Sequence, residues 1–409
     1  MKKFIEKILN EKFFIITPRT QSYGGIPDSL MFGYKLSKHF KKKIVLAIPF
    51  FNLHGKHKKK KIFGIKLILI LFFKDLSFDS KIISILITIL INFNMLLKKI
   101  KFLGFLNILI KNNDLIENIF PTKLGFIGVN GSEISLDQEI WKSVFEIRNF
   151  EYFRNFSNEN FIAFYVKDDN YNKISPISSL ATAEIENYRS TIKYLIQNGY
   201  SIKRVGDQLS KKFKFEDDKY FDLTKTKKKF ENKQYLAFCK CLFYFGCGSS
   251  PSSYASFFNK SRVLTNLDIN NLLNPNDFFF RSDLLLFKKI YFKPSRKIIS
   301  LEELLNLDYD NLMNKENFIL IENNPKEIED TIKEFKINFN LKNVKFEKKQ
   351  IEFNHMVKFF FHKHENKNKL YNVFYYSNFI IPNFYLEKYL YKNPTLDEEN
   401  SRFNYENLM

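Results

Sequence analysis

The stretch FGCGSSPSSYASFFNK, residues 245–260, is small and polar in a chain that carries 48 Phe, 21 Tyr and only 13 Gly. It follows the apolar run CLFYFGC, 241–247, so it reads as a strand, a tight turn and a helix from Ser252 to Phe258. Gly246 and Gly248 permit a sharp turn and let another group approach the backbone closely. Ser249, Ser250, Ser252 and Ser253 can cap the helix or donate to oxygen. Backbone N–H groups at a helix N-terminus attract negative charge, so the chemistry on offer is the binding of a phosphate or diphosphate. A plain capped turn makes the same demands on these residues. The stretch lacks the Gly-Lys-Ser/Thr of a phosphate loop, and GxGxxG is absent as well.

Two further candidates stand at predicted strand ends. Arg204 closes YSIKRVG, 200–206, just before Gly206, and a guanidinium beside a glycine turn suits a diphosphate. Lys167 and Asp168 follow FIAFYV, 161–166. Ligands of parallel sheets lie at the carboxyl ends of the strands, so these loops are expected to converge on a nucleotide-type ligand. In the amino-terminal half, Tyr23, Gly24 and Gly25 of YGGIPD form the corresponding loop, expected on the acceptor side of a cleft. Asp28 is the candidate general base, with Asp168 and Asp169 as rivals. A helix N-cap is an equally good use of Asp28.

The elements that must position these residues alternate. FFIIT at 13–17, a helix over 29–39 and KIVLAI at 43–48 make a first strand–loop–helix–strand unit. From 160 onward the pattern runs through the strand at 161–166, a helix ending at Gly199, strands at 200–206 and 219–223, and a helix over FENKQYLAFCK. The strand at 241–247, the short helix, RVLTN at 262–266 and a helix at 324–339 complete it. Strands and helices alternating with short connections predict an α/β fold with a parallel sheet covered on both faces. Two such units, 1–150 and 151–340, are expected to face a cleft, followed by an aromatic, Lys-rich extension at 341–409.

The 409 residues carry a formal net charge of +21, yet arginine supplies only nine of the 65 basic side chains. Nucleic-acid readers rely on the arginine fork, so no nucleic-acid partner is expected, and the lysines read as a solvated surface. Cys239, Cys241 and Cys247 have no neighbouring His and read as buried thiols of a reducing compartment. No metal and no cofactor is expected, His362 and His364 lying in a charged surface segment. Residues 82–97 carry no charge but fall short of the roughly 20 apolar residues a spanning helix needs. They read as a buried helix within the basic and apolar segment 56–112, which also suits contact with an anionic membrane surface. Glu6 and Glu11 interrupt the basic start, so no signal peptide is expected.

The carboxyl-terminal half resembles bacterial glycosyltransferases of O-antigen and surface-polysaccharide loci, distantly similar to O-fucosyltransferases. The resemblance rests on FIAFYVKDDNY, IENYRSTIKYLIQNGYSIKRVGD, CLFYFGCGSSPSSYASFFNKSRVLTN, LLLFKKIYFKPSRKIISLEELL, NPKEIEDTIKEF and IPNFYLEKYLYKNP, in that order over 160–392. It implies two Rossmann-like domains in the GT-B arrangement and transfer of a sugar from a nucleotide-sugar donor, without a metal. The acceptor would be a hydroxyl of a surface-polysaccharide or lipid-linked glycan, at the inner face of the cytoplasmic membrane. It also implies that Arg204, Gly206 and the Gly248–Ser253 loop hold the nucleotide diphosphate, with Lys167 and Asp168 at the donor site. There the family's strand ends in His-x-Arg-Asp, where this chain has Tyr165-Val166-Lys167-Asp168. A nucleotide-sugar epimerase of the same fold, or a non-catalytic basic protein of membranes or nucleic acid, are the competing readings.

Overall fold

The computed structural model describes residues 13–16, 43–46, 82, 84–85, 158–171, 182–206, 210–225, 230–258, 260–268, 283–307, 315–339, 346–363 and 380–391. Two short apolar runs, Phe13–Ile16 (β1) and Lys43–Leu46 (β2), pair in parallel as a two-stranded sheet. The loop carrying Tyr23, Gly24, Gly25 and Asp28, and the helix expected at 29–39, lie outside the described residues. Of the apolar run 82–97, Ile82, Ser84 and Ile85 are described. All three are helical, with Ser84 buried and both isoleucines exposed.

Strands Phe161–Tyr165 (β3), Ser201–Arg204 (β4), Tyr220–Asp222 (β5), Phe243–Cys247 (β6), Ser261–Leu267 (β7) and Leu284–Phe287 (β8) form one six-stranded sheet. Its order is β5-β4-β3-β6-β7-β8, and every pairing is parallel. The chain therefore starts in the middle, winds outward through β4 and β5, then returns beside β3 and winds outward the other way. Such a doubly wound order leaves a crevice where the direction reverses, at the carboxyl ends of β3 and β6.

Among the described residues seven helices accompany the sheet: Arg189–Gln197 (α1), Phe230–Lys240 (α2), Ser250–Phe257 (α3), Leu301–Asn306 (α4), Pro325–Phe339 (α5), Lys348–Lys363 (α6) and Asn383–Tyr389 (α7). Because side chains alternate along a strand, β3 sends Ile162 and Phe164 to one face and Phe161, Ala163 and Tyr165 to the other. The first set packs with Ile192 and Leu195 of α1 and Ile328 and Ile332 of α5. The second packs with Phe238 of α2, Tyr254 of α3 and Leu304 of α4. Lys289–Phe292 (β9), Lys297–Ile298 (β10) and Phe318–Ile321 (β11) form a separate antiparallel sheet in the order β10-β9-β11, which the sequence pattern did not reveal. The carboxyl-terminal segment is also more integrated than its composition suggested. Phe353, Val357 and Phe360 of α6, with Tyr385 and Leu386 of α7, are buried in the same core as α2 and α3. Ile380 extends the sheet beyond β8 by a parallel bridge to Leu284.

The glycine question of the opening stretch has its answer at Gly246. This residue pairs with Tyr165 across the central strand pair, at φ +134°, and an added Cβ would lie 1.8 Å from the Tyr165 carbonyl oxygen. No rotamer relieves a clash between backbones, so Gly246→Ala should lower stability by at least about 3 kcal/mol. Gly199 ends α1 at φ +90° with open space around it, so Gly199→Ala should cost only about 1–2 kcal/mol. Denaturant melts of the two variants test this ranking.

Glu334 of α5 holds the start of α7, its two carboxylate oxygens each 2.9 Å from the Asn383 N–H. Burial pushes its pKa up to about 7 despite that bond, and Glu347 and Glu387 nearby add to the rise. The folded protein thus keeps a proton that the unfolded chain loses near the ordinary carboxylate pKa of about 4.3, and stability falls as pH climbs from there to about 7. Glu334→Gln should flatten this slope when denaturant midpoints at about pH 5 and about pH 8 are compared.

Candidate functional site

The crevice at the reversal point is bounded by the ends of β3 and β6, which is where two of the three predicted loops meet. On the β3 side, Lys167 follows the strand with a half-buried side chain. Burial depresses its pKa, the nearby Cys247 opposing that shift. Among the described residues no carboxylate or carbonyl pairs with its ammonium. Its backbone carbonyl accepts the Ala183 N–H at 2.8 Å, which folds residues 182–188 back over the sheet edge.

On the β6 side the chain passes through Gly248 and Ser249 into α3, which begins two residues earlier than the expected Ser252. Pro251 in the first turn favours this start, having no N–H to leave unsatisfied. Ser249 and Ser252 cap the helix together: the Ser249 N–H donates to the Ser252 hydroxyl at 3.2 Å, and that hydroxyl donates to the Ser249 carbonyl at 2.7 Å. Ser252 and Ser253 are buried, so their hydroxyls serve the fold, while Ser249 retains partial exposure. Ser250 occupies the first turn of α3. Gly248 is buried as well, so Ser249 is the residue of this turn that keeps some exposure, as Lys167 does at the end of β3.

Arg204 and Asp168 are placed differently from expectation. The Arg204 guanidinium is 1% exposed, donating to the Lys211 carbonyl at 2.7 Å and lying 3.4 Å from the Asp222 carboxylate. A diphosphate at the crevice cannot also occupy that fork, so Arg204 is a core residue tying β4 to β5 and to the loop between them. Asp168 is equally buried, accepting the Asn170 N–H at 3.1 Å and the Lys211 N–H at 2.5 Å. Its carboxylate staples the β3 loop to the β4 loop and is not presented to an acceptor as a base. Gly206, at φ +143°, lies beside the Tyr165 ring, where an added Cβ would come within 3.2 Å of it, and its carbonyl accepts the Gln234 side chain at 2.7 Å.

A polar network that sequence reasoning missed underlies the same edge. Tyr188, fully buried at the start of α1, places its hydroxyl 2.7 Å from Thr265 Oγ1, 3.5 Å from Cys247 Sγ and 2.9 Å from the amide nitrogen of Asn266. Burial, with Cys247 beside it, pushes the Tyr188 phenol well above its ordinary pKa, so it stays neutral. Asn266, in the left-handed region at φ 53°, exchanges backbone-to-side-chain hydrogen bonds with Asn323 at 2.6 and 2.8 Å. Glu322 next to it accepts the Glu184 N–H at 2.9 Å, and burial raises its pKa. Lys288 is buried and donates to the Thr182 carbonyl at 2.6 Å; burial lowers its pKa, while Glu322, Cys247, Asp268 and Asp169 act to raise it. A Tyr four residues before an apolar helix position, and an Asn at the polar end of an apolar strand, are the signals in the sequence that pointed here.

The edge thus offers a cation at Lys167, a hydroxyl at Ser249, the positive end of α3 and a partly buried carboxylate at Glu322. Such a set suits an anionic ligand that also carries hydroxyls. Among the described residues no three His, Cys, Asp or Glu side chains are grouped as for a metal ion, and no helix is long and apolar enough to cross a membrane. No protein-family profile, curated protein or solved structure matches this chain.

Removing Arg204 tests its place in the core. Arg204→Ala leaves the Asp222 carboxylate buried with a partner lost and should cost about 3 kcal/mol in a denaturant melt without ligand. An arginine whose business was a diphosphate would leave the ligand-free melt nearly unmoved.

Proposed function

We propose that this protein is a glycosyltransferase that moves a sugar from a nucleotide-sugar donor to a hydroxyl of a surface-polysaccharide or lipid-linked glycan. In this reading the described sheet is the donor half of a GT-B arrangement, and residues 1–150 supply the acceptor half. The observation that carries it is the strand order, whose reversal point brings Lys167 to the Gly248–Ser249 turn at the start of α3. A diphosphate placed there meets one ammonium and a helix N-terminus, and both stabilise the charge that grows as the sugar departs. The acceptor hydroxyl needs a base. With the Asp168 carboxylate occupied by two backbone N–H groups, that role passes in this proposal to Asp28 or to Asp169.

Thermal shifts with UDP, GDP, CMP and dTDP, and with their common sugars, test the donor site. A ligand at 100 times its dissociation constant adds about 2.7 kcal/mol, a rise of roughly 5–10 °C for a domain of this size. One nucleotide class should give that rise, and Lys167→Ala should reduce it while leaving the ligand-free midpoint nearly unchanged. No shift with any nucleotide would sink the proposal. Conversion of a free nucleotide sugar in the absence of any acceptor would assign an epimerase instead.

A further inference from the structure

Helix α6 buries one side and leaves the other with an unusual surface. Wound at about 3.6 residues per turn, it places Lys358, Ile351, His355, Lys348, Phe359 and Lys363 on one arc, opposite the buried Phe353, Val357 and Phe360. Ile351 is 43% exposed and Phe359 65%. Tyr391, 49% exposed, joins them by donating its hydroxyl to Glu352 at 2.9 Å. Glu352 is the only acid along α6, and Lys348 lies 3.9 Å from it as well. The outward surface is therefore an apolar and aromatic patch set among lysines, with its one carboxylate already engaged.

The two halves of this chemistry choose between partners. A nucleic-acid backbone is served by lysines alone and gains little from an exposed isoleucine. An apolar protein groove would take Ile351 and Phe359 but would have to desolvate the surrounding ammonium groups. An anionic bilayer takes both, with apolar side chains at the acyl boundary and lysines among the headgroups.

We propose that α6 is a membrane-adhesion surface, inserting Ile351 and Phe359 into the interface of an anionic bilayer while Lys348, Lys358 and Lys363 meet its headgroups. The proposal stands on surface chemistry and is independent of the glycosyltransferase reading.

Sedimentation of the full chain with phosphatidylcholine vesicles, with and without phosphatidylserine, tests it. The protein should pellet at low salt with the anionic vesicles, stay largely in solution with the neutral ones, and be released as salt rises. A double variant, Ile351→Ser with Phe359→Ser, should keep its melting midpoint because both side chains are exposed, and should bind the anionic vesicles at least roughly fivefold less. A separate Phe359→Cys variant carrying an environment-sensitive fluorophore should shift to the blue on vesicle addition. The native Cys239, Cys241 and Cys247 are buried and do not compete for the label. Failure of the wild type to pellet, undiminished binding by the double variant, or an unmoved fluorophore would each overturn the proposal. So would retention of duplex DNA that survives in the double variant but is lost in Lys348→Ala with Lys363→Ala, which would make α6 a nucleic-acid surface.

Discussion

The fold turns on the contact between two backbones, β3 and β6, at the reversal point of the sheet. Gly246 has no side chain to hold Tyr165 away, and the space a Cβ would need is taken by the Tyr165 carbonyl oxygen. That closeness keeps the β3–β6 ladder in register as far as Tyr165 and Gly246, each two residues short of the turns that carry Lys167 and Gly248. A wider gap here would separate the two loops and unseat the Tyr188–Cys247–Thr265 network beneath them. Strand spacing at one residue thus governs the geometry of the whole edge.

Charge inside the protein follows a rule of its own. Among the described residues, two of the four arginines lie in the core, each facing an aspartate, in company with a buried Lys289–Glu327 pair. Arg262 and Asp283 are almost fully buried, joined by side-chain bonds of 2.5 and 3.1 Å, with the Arg262 backbone N–H donating to the same carboxylate at 3.0 Å. The guanidinium fork can satisfy several acceptors at fixed angles, which lysine cannot, so a buried pair that ties β7 to the start of β8 calls for arginine. Such pairs add little net stability because desolvation opposes their attraction, but breaking one is costly. Their value lies in fixing which strands stand next to each other.

This explains what was legible in the sequence. Continuous apolar runs such as FIAFY and FYFGC announced buried parallel strands, and Gly199 announced the end of α1, because those signals are local. Arg204 was misplaced because its rarity looked like function, while its partner Asp222 is 18 residues away and gives no local sign. Ser252 and Ser253 were read as ligand donors because a capping serine and a binding serine have the same sequence. Strands β8 to β11 went unseen for another reason. Their segments are short, and β9 is half covered, so its pattern fits neither a buried strand nor a clean alternation.

The charges at the carboxyl edge show what is left for a ligand. Lys288 has the Thr182 carbonyl as its partner, with Glu322, Asp268 and Asp169 near, so its positive charge is answered from within the protein. Lys211, at the rim, is held by Glu184. Asp168 is saturated by backbone N–H groups, and Arg204 is turned into the core. Subtracting these, Lys167 remains as the cation of the crevice with no carboxylate paired to it among the described residues. A half-buried ammonium whose pKa is depressed by burial is most stable in its charged form when an anion supplies what the solvent no longer does.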